Sequence, residues 1–89
     1  MFEWDEHNTE HIAKHGIEPW EVEEAFEDDD LLTTDAYNFK GEKRRGIIAA
    51  TEVGRILVVI YTLRKEKVRT VRAQDANNVQ KRRYRKGKK

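Results

Sequence analysis

The stretch "RILVVIYTL" (55–63) constrains the fold of this chain more than any other part of it. It is the most apolar run in a sequence of 89 residues whose side chains are 39% charged. Its β-branched residues predict a central strand buried on both faces. A chain this short holds one core and has no room for a second, so every other segment must pack around that strand. One domain is expected over 1–86, with 87–89 as a frayed basic tail.

The flanking segments divide by period. "LLTTDAYNF" (31–39), "RRGIIAATE" (44–52) and "VRTVRAQ" (68–74) read as strands, joined through "KGEK", "VG" and "RKEK". Connections this short predict an antiparallel meander of about four strands. Upstream the pattern is helical. Asp5 is placed to cap a first helix through "EHNTEHIAKH", with Gly16 as its C′ glycine. Pro19 opens a second helix whose stripe is Val22, Ala25 and Phe26. Asp28, Asp29 and Asp30 oppose the negative end of that helix dipole and should stop it. "FEW" (2–4) is a candidate edge strand, and Asp75 a candidate cap for a last helix, "ANNVQKRRYRK". That helix has Ala76, Val79 and the Tyr84 ring to dock by. The fold class is α+β, two N-terminal helices on a sheet followed by a basic C-terminal helix.

Charge is segregated along the chain. Residues 1–42 carry 14 acidic and 2 basic side chains, residues 43–89 carry 3 and 16, and the totals of −12 and +13 leave a net +1. Such asymmetry predicts a basic surface for nucleic acid or for an acidic partner. Mutual neutralisation of the two halves is the competing reading, although surface ion pairs contribute only ~0–1 kcal/mol each and need no such segregation. With no cysteine, disulfides and thiolate metal sites are excluded. No apolar run has the length of a membrane span, and "MFEWDEHN" lacks the apolar stretch of a signal peptide, so a cytoplasmic protein with no membrane partner is expected.

His7, His11 and His15 recur at i, i+4 and i+8. Two histidines so spaced can bind zinc, but three cannot converge, because eight residues of helix rise about 12 Å. His11 and His15, flanking Ile12, are expected to pack partly buried under the sheet, and no metal or cofactor is expected. Serine is absent, and no glycine-rich phosphate loop or nucleophile motif occurs. Arg, Lys, Tyr and His remain, and these types suit metal-free RNA cleavage in which the 2′-hydroxyl attacks its own phosphate. That reaction needs cations for the charge growing on phosphate oxygens, a general base and acid, and a flat group to hold an unstacked base. In "VRTVRAQ" strict alternation puts Val68, Thr70, Arg72 and Gln74 on one face and Arg69, Val71 and Ala73 on the other. Arg64 and Lys65 precede that strand at a turn. Lys81, Arg82, Arg83 and Arg85 surround Tyr84 and would guide RNA, together with Lys65 and Gln74; a merely solvated cationic helix is the bland alternative. A third reading has the acidic segment 18–30 occupying the basic face when no partner is present.

"FEWDEHNTEHIAKHGIEPWEVEEAF", followed by "ATEVGRILVVIYTLR", "VRTVRAQDA" and "KRRYR", resembles the BrnT-like toxins, the ribonuclease components of type II toxin–antitoxin modules within the RelE/ParE-like group. The resemblance covers nearly the whole chain, and "WDE…HI.KHG", "TE.GR" and "RRY" are its most specific parts. It implies two helices on a strongly bent antiparallel sheet with a further C-terminal helix, a RelE-like architecture. It also implies RNA cleavage that blocks translation, neutralisation by a DNA-binding, BrnA-like antitoxin encoded alongside, and contact with operator DNA only through that complex. Matched residue by residue, the expected catalytic set is His15 from "KHG", Arg64 and Arg69 at the start of the last strand, and Tyr84 from "RRY". Where the family reads Ser/Thr-Ala-Arg at the strand end, this chain has Arg72-Ala73-Gln74. Arg72 is then expected to reach the place of the missing guanidinium, and a catalytically weakened, nucleic-acid- or antitoxin-binding module is the alternative that Gln74 favours.

Overall fold

The apolar run forms the middle of a five-stranded sheet. The structure, a computed structural model, describes residues 1–87. Its elements are β1 (Phe2–Glu3), α1 (Glu6–Ala13), α2 (Pro19–Phe26), β2 (Leu32–Phe39), β3 (Glu42–Ala50), β4 (Ile56–Arg64), β5 (Lys67–Asp75) and α3 (Asn78–Gly87). Gly87 closes α3, and residues 88–89 of the expected tail lie outside the described residues. The strand order is β1-β5-β4-β3-β2. Strands β2 to β5 make the expected antiparallel meander. The candidate edge strand at "FEW" forms as β1 and brings the count to five; its pairing is parallel, because the first residues add to β5, with Phe2 opposite Val68 and Glu3 opposite Arg69. The amide of Val68 donates to the Met1 carbonyl at 2.7 Å, which holds that edge in register.

Helix ends follow local chemistry. Asp5 and Asn8 cap α1 reciprocally: the Asn8 amide donates to Asp5 Oδ1 at 3.0 Å and the Asp5 amide to Asn8 Oδ1 at 2.8 Å. The helix closes with Gly16 at φ +70°, donating to Ala13, while the Ile17 amide donates back to Ile12. Buried Ile12 and Ile17 supply the hydrophobic contact that accompanies such a stop. Pro19 opens α2. The cap of α3 differs from expectation. Asn77 and Gln80 exchange side-chain to backbone hydrogen bonds, both at 2.8 Å, whereas Asp75 stays in β5 and binds Arg55.

The two sheet faces bury separate clusters. On one, Ile12, Ile17, Val22 and Ala25 from the α1–α2 region pack on Ile47, Ala49, Leu57, Val59 and Ala73. On the other, Ala76 and Tyr84 pack on Ile48 and Val58, flanked by Leu32, Ala50 and Ile56. So β4 is covered from both sides along its first half, which accounts for its unbroken apolar sequence. Past that half the second face is open. Gly46 lies there, and a Cβ on it would run into the Thr34 hydroxyl, so the glycine lets β2 close on β3 without displacing that side chain.

Candidate nucleic-acid interface

Residue pairing decides which arginines share a face. Across β4 and β5, Val58 stands opposite Gln74, Ile60 opposite Arg72 and Thr62 opposite Arg69, while Tyr61 stands opposite Thr70. One residue too many, Val71, sits in β5 between Thr70 and Arg72, forming a bulge. Directly opposed residues lie on one face, so Arg69, Arg72 and Gln74 all accompany Val58, Ile60 and Thr62. Strict alternation had separated Arg69 from Arg72; the bulge corrects that by resetting the parity. On β3, Gly46 opposite Ile60 places Arg44 in the same row, and Arg64 follows Thr62 by alternation. The open half of the second face thus carries Arg44, Arg64, Arg69 and Arg72.

Three of these arginines line one depression of about 160 Å³, with His7, Asn8, Thr62 and Glu42. Position comes from different elements: Arg44 from β3, Arg64 from β4, Arg69 from β5 and His7 from the first turn of α1. Asn8 ties that turn down by donating to the carbonyls of Glu3 and Thr70 at 3.0 and 3.3 Å. Arg69 is held hardest. Its Nη1 lies 2.8 Å from Asp5 Oδ2 and 3.3 Å from Glu3 Oε1, and its side chain is 13% exposed. The guanidinium pulls the Asp5 carboxyl below the usual carboxylate range, and the Asp5 hydrogen bond raises Arg69 in turn. Arg44 and Arg64 share a single carboxylate, Glu42, at 3.6 and 3.5 Å. Arg44 also lies over the Phe39 ring, 4.2 Å from its centroid. Its Nε is buried and makes no hydrogen bond among the described residues. With Glu3 and Asp5 on Arg69, the three guanidinium groups face three carboxylates, but Arg44 and Arg64 share one of them, and an anionic oxygen can satisfy the idle donor.

The remaining expected residues are distributed as follows. Arg72 and Gln74 line a neighbouring depression with Arg83 of α3. Lys65 is exposed in the β4–β5 turn at φ 48°. Arg82 and Arg85 are exposed on α3, and Lys81 is half-buried there. His15 stands apart from the arginines. It lies beyond the end of α1, exposed rather than partly buried, with its carbonyl 3.4 Å from Arg55 Nη2. Arg55 precedes β4 and Arg64 ends it, so a nine-residue strand of about 27 Å separates His15 from Arg64 and Arg69. His11 is half-buried as expected, and burial holds its imidazole below the ordinary value. Tyr84 is 4% exposed among the residues under α3, and its hydroxyl donates to Asp28 Oδ2 at 2.6 Å. Burial raises the phenol above its ordinary value, with the Asp28 hydrogen bond adding to the effect. The acidic segment does not lie over the arginine row, because α2 packs on the opposite sheet face through Val22 and Ala25. Asp28 instead reaches α3 at Tyr84 and accepts from the Ala50 amide at 2.8 Å.

The model of the ribonuclease toxin BrnT, of type II toxin–antitoxin systems, matches residues 4–80. The chain belongs to that family. Its expected partners are therefore an antitoxin and an RNA substrate. No curated protein matches the chain. The match ends just before "KRRYR", so the basic half of α3 lies beyond the part this chain shares with the BrnT pattern. No helix among the described residues is long and apolar enough to cross a membrane.

Sequence reasoning missed two residues of the depression. His7 was legible only as one rung of a histidine ladder, and Arg44 only as one cation among many. What joins them to Arg64 and Arg69 is the β3–β4–β5 register, which no local pattern encodes. The position of Tyr84 gives a direct test. Tyr84→Phe keeps the ring and loses the bond to Asp28, so it should lower stability by about 1–2 kcal/mol and leave RNA cleavage within about twofold. Thermal melting and a cleavage assay check this together. A collapse of cleavage at unchanged melting temperature would return Tyr84 to the chemistry.

Proposed function

We propose that this chain is an endoribonuclease toxin that cleaves RNA at the depression formed by His7, Arg44, Arg64 and Arg69. The observation that carries the reading is the convergence of these four side chains, from four separate elements, in a chain of the BrnT family. The 2′-hydroxyl attacks the adjacent phosphorus and the 5′-oxygen leaves, giving a cyclic phosphate and a free 5′-hydroxyl. His7 takes the 2′ proton, and solvent protonates the departing oxygen. Arg44 and Arg64 hold the charge that grows on the phosphate oxygens, with Glu42 released from one of them when the anion arrives. Arg69, braced by Asp5 and Glu3, fixes the orientation of the site. Arg82, Arg83, Arg85 and Lys65 steer the strand.

The helix–helix–meander–helix order supports the RelE-like grouping. The rest of the family pattern follows as part of the same proposal: blocked translation in the cytoplasm, a BrnA-like DNA-binding antitoxin, and operator DNA reached through the complex. The carboxylate pairing of Arg69 favours the second reading, a weakened member acting only as a binding module. Induced expression in a bacterium without the antitoxin separates the two. Arrested growth with fragmented RNA is expected; a healthy culture with intact RNA leaves the binding module.

A further inference from the structure

Beside the arginine depression lies a second one of about 260 Å³, between the sheet and α3. Its floor is apolar, formed by Ile48, Val58 and Ile60, and its rim carries Arg72, Gln74 and Arg83. On the sheet, the Ile60–Arg72 pair adjoins the Thr62–Arg69 pair on the same face, so the two depressions are about 7 Å apart along β4. Their electrostatics differ. Arg44, Arg64 and Arg69 each have a carboxylate partner, whereas among the described residues Arg72 and Arg83 have none. The Gln74 amide makes no hydrogen bond among the described residues, although the residue is half-buried. Gln80, also at this rim, has its Oε1 engaged by the Asn77 amide in the α3 cap, so its NH₂ remains for a ligand.

A flat apolar floor with one uncommitted amide and two uncommitted guanidinium groups fits a planar heterocycle attached to phosphates. From this arrangement we infer that the depression is a base subsite for a nucleotide of single-stranded RNA flanking the cleaved bond. The inference rests on the RNA reading above. Ile60, half-buried, receives the face of the base, with the buried Ile48 and Val58 behind it. Arg72 and Arg83 take its flanking phosphates. Gln74 reads its edge. A carboxamide offers one donor and one acceptor side by side, which pairs in two-point fashion with adenine N7 and N6–H₂, whereas guanine presents two acceptors there and suits arginine instead. With its Hoogsteen edge turned to Gln74, the base that this subsite selects is adenine, and residue 74 sets the selection.

The test uses the intact protein and 2′-O-methyl oligonucleotides, which lack the attacking hydroxyl and so report binding without cleavage. An adenine octamer should bind about tenfold more tightly than a uracil octamer, as one two-point base contact provides. Gln74→Ala should bring that ratio to within about twofold. Gln74→Arg should move the preference to a sequence carrying guanine, a switch that a merely structural role for Gln74 would not produce. Retained adenine preference in Gln74→Ala, or no switch in Gln74→Arg, overturns the inference. Binding of adenosine monophosphate as tightly as the octamer overturns it too, since the ligand would then be a free nucleotide. Cleavage of cellular RNA with no base preference leaves the nuclease reading intact and removes only the subsite. Base-selective binding without any cleavage does the reverse.

Discussion

Arg64→Ala is expected to slow RNA cleavage about 10²–10³-fold, the usual effect of removing one preorganised donor from a developing anion. The same substitution should leave the melting temperature within error. The Arg64 side chain is 53% exposed and its ion pair with Glu42 spans 3.5 Å, and an exposed pair of that kind contributes at most about 1 kcal/mol. Activity and stability therefore separate at this residue. They do not separate at Arg69, whose contacts tie β1 and the start of α1 to β5, so Arg69→Ala should lose both. His7→Ala belongs with Arg64: an exposed residue whose loss costs turnover about 10²-fold or more with little change in folding. Arg72→Ala should raise KM and spare kcat, because Arg72 lies at the neighbouring subsite. Cleavage of a short RNA by the four variants over a range of concentrations, each with a melting curve, checks the assignment. Wild-type turnover in both Arg64→Ala and His7→Ala would place the chemistry elsewhere on the protein.

That division of labour could be only partly foreseen. Elements set by local chemistry were legible: the central strand from its β-branched run, α1 from Asp5 and Gly16, α2 from Pro19 and its apolar stripe. The boundaries that moved did so for tertiary reasons. Asp75 was a reasonable cap in isolation, but Arg55, twenty residues earlier, binds its carboxylate and keeps it in the sheet. Phe2 and Glu3 were legible as a candidate edge strand, but their parallel partners, Val68 and Arg69, lie more than sixty residues away and no local signal names them. At the site the limiting step was parity. One bulged residue, Val71, reverses the face of everything before it in β5, so the arginine row of the strand could not be assembled from alternation alone. Gathering of cations on one side of the sheet was foreseeable from the charge asymmetry, whereas their partition into a carboxylate-braced group and an uncommitted group was not. His15 and Tyr84 show the cost of placing residues by motif. His15 lies in the matched segment and Tyr84 just beyond it, yet one is a strand length from the arginines and the other has its ring buried between α3 and the sheet.

The largest loss of stability is expected at Arg55, whose guanidinium joins three parts of the chain that meet at the far end of the sheet. Its Nε and Nη2 donate to the two Asp75 oxygens at 2.7 and 3.0 Å, and its Nη1 to Glu21 Oε2 and the Gly16 carbonyl, both at 3.0 Å. Arg55→Ala would leave the Glu21 carboxylate, 11% exposed, with only the Glu18 amide as donor, and would take the guanidinium from the carbonyl groups of the α1–α2 turn. Asp75, 57% exposed, can turn to water, so its lost pairing adds the smaller share. The expected cost is about 2 kcal/mol, chiefly from the stranded acceptors, or roughly 8–16 °C in a domain this small. Arg55→Lys should recover less than half, since an ammonium cannot reach both carboxylates in one planar fork. Acid supplies an internal control. Arg55 lowers the Asp75 carboxyl below its ordinary 3.8, so that pairing stabilises the fold fully above that pH and is lost as pH falls through the lower, folded-state value. The melting-temperature gap between wild type and Arg55→Ala should narrow once the pH drops below 3.8. A gap that stays constant from pH 7 to pH 2 would show that the Asp75 pairing carries none of the stabilisation, and a gap near zero at pH 7 would remove Arg55 as the clamp altogether.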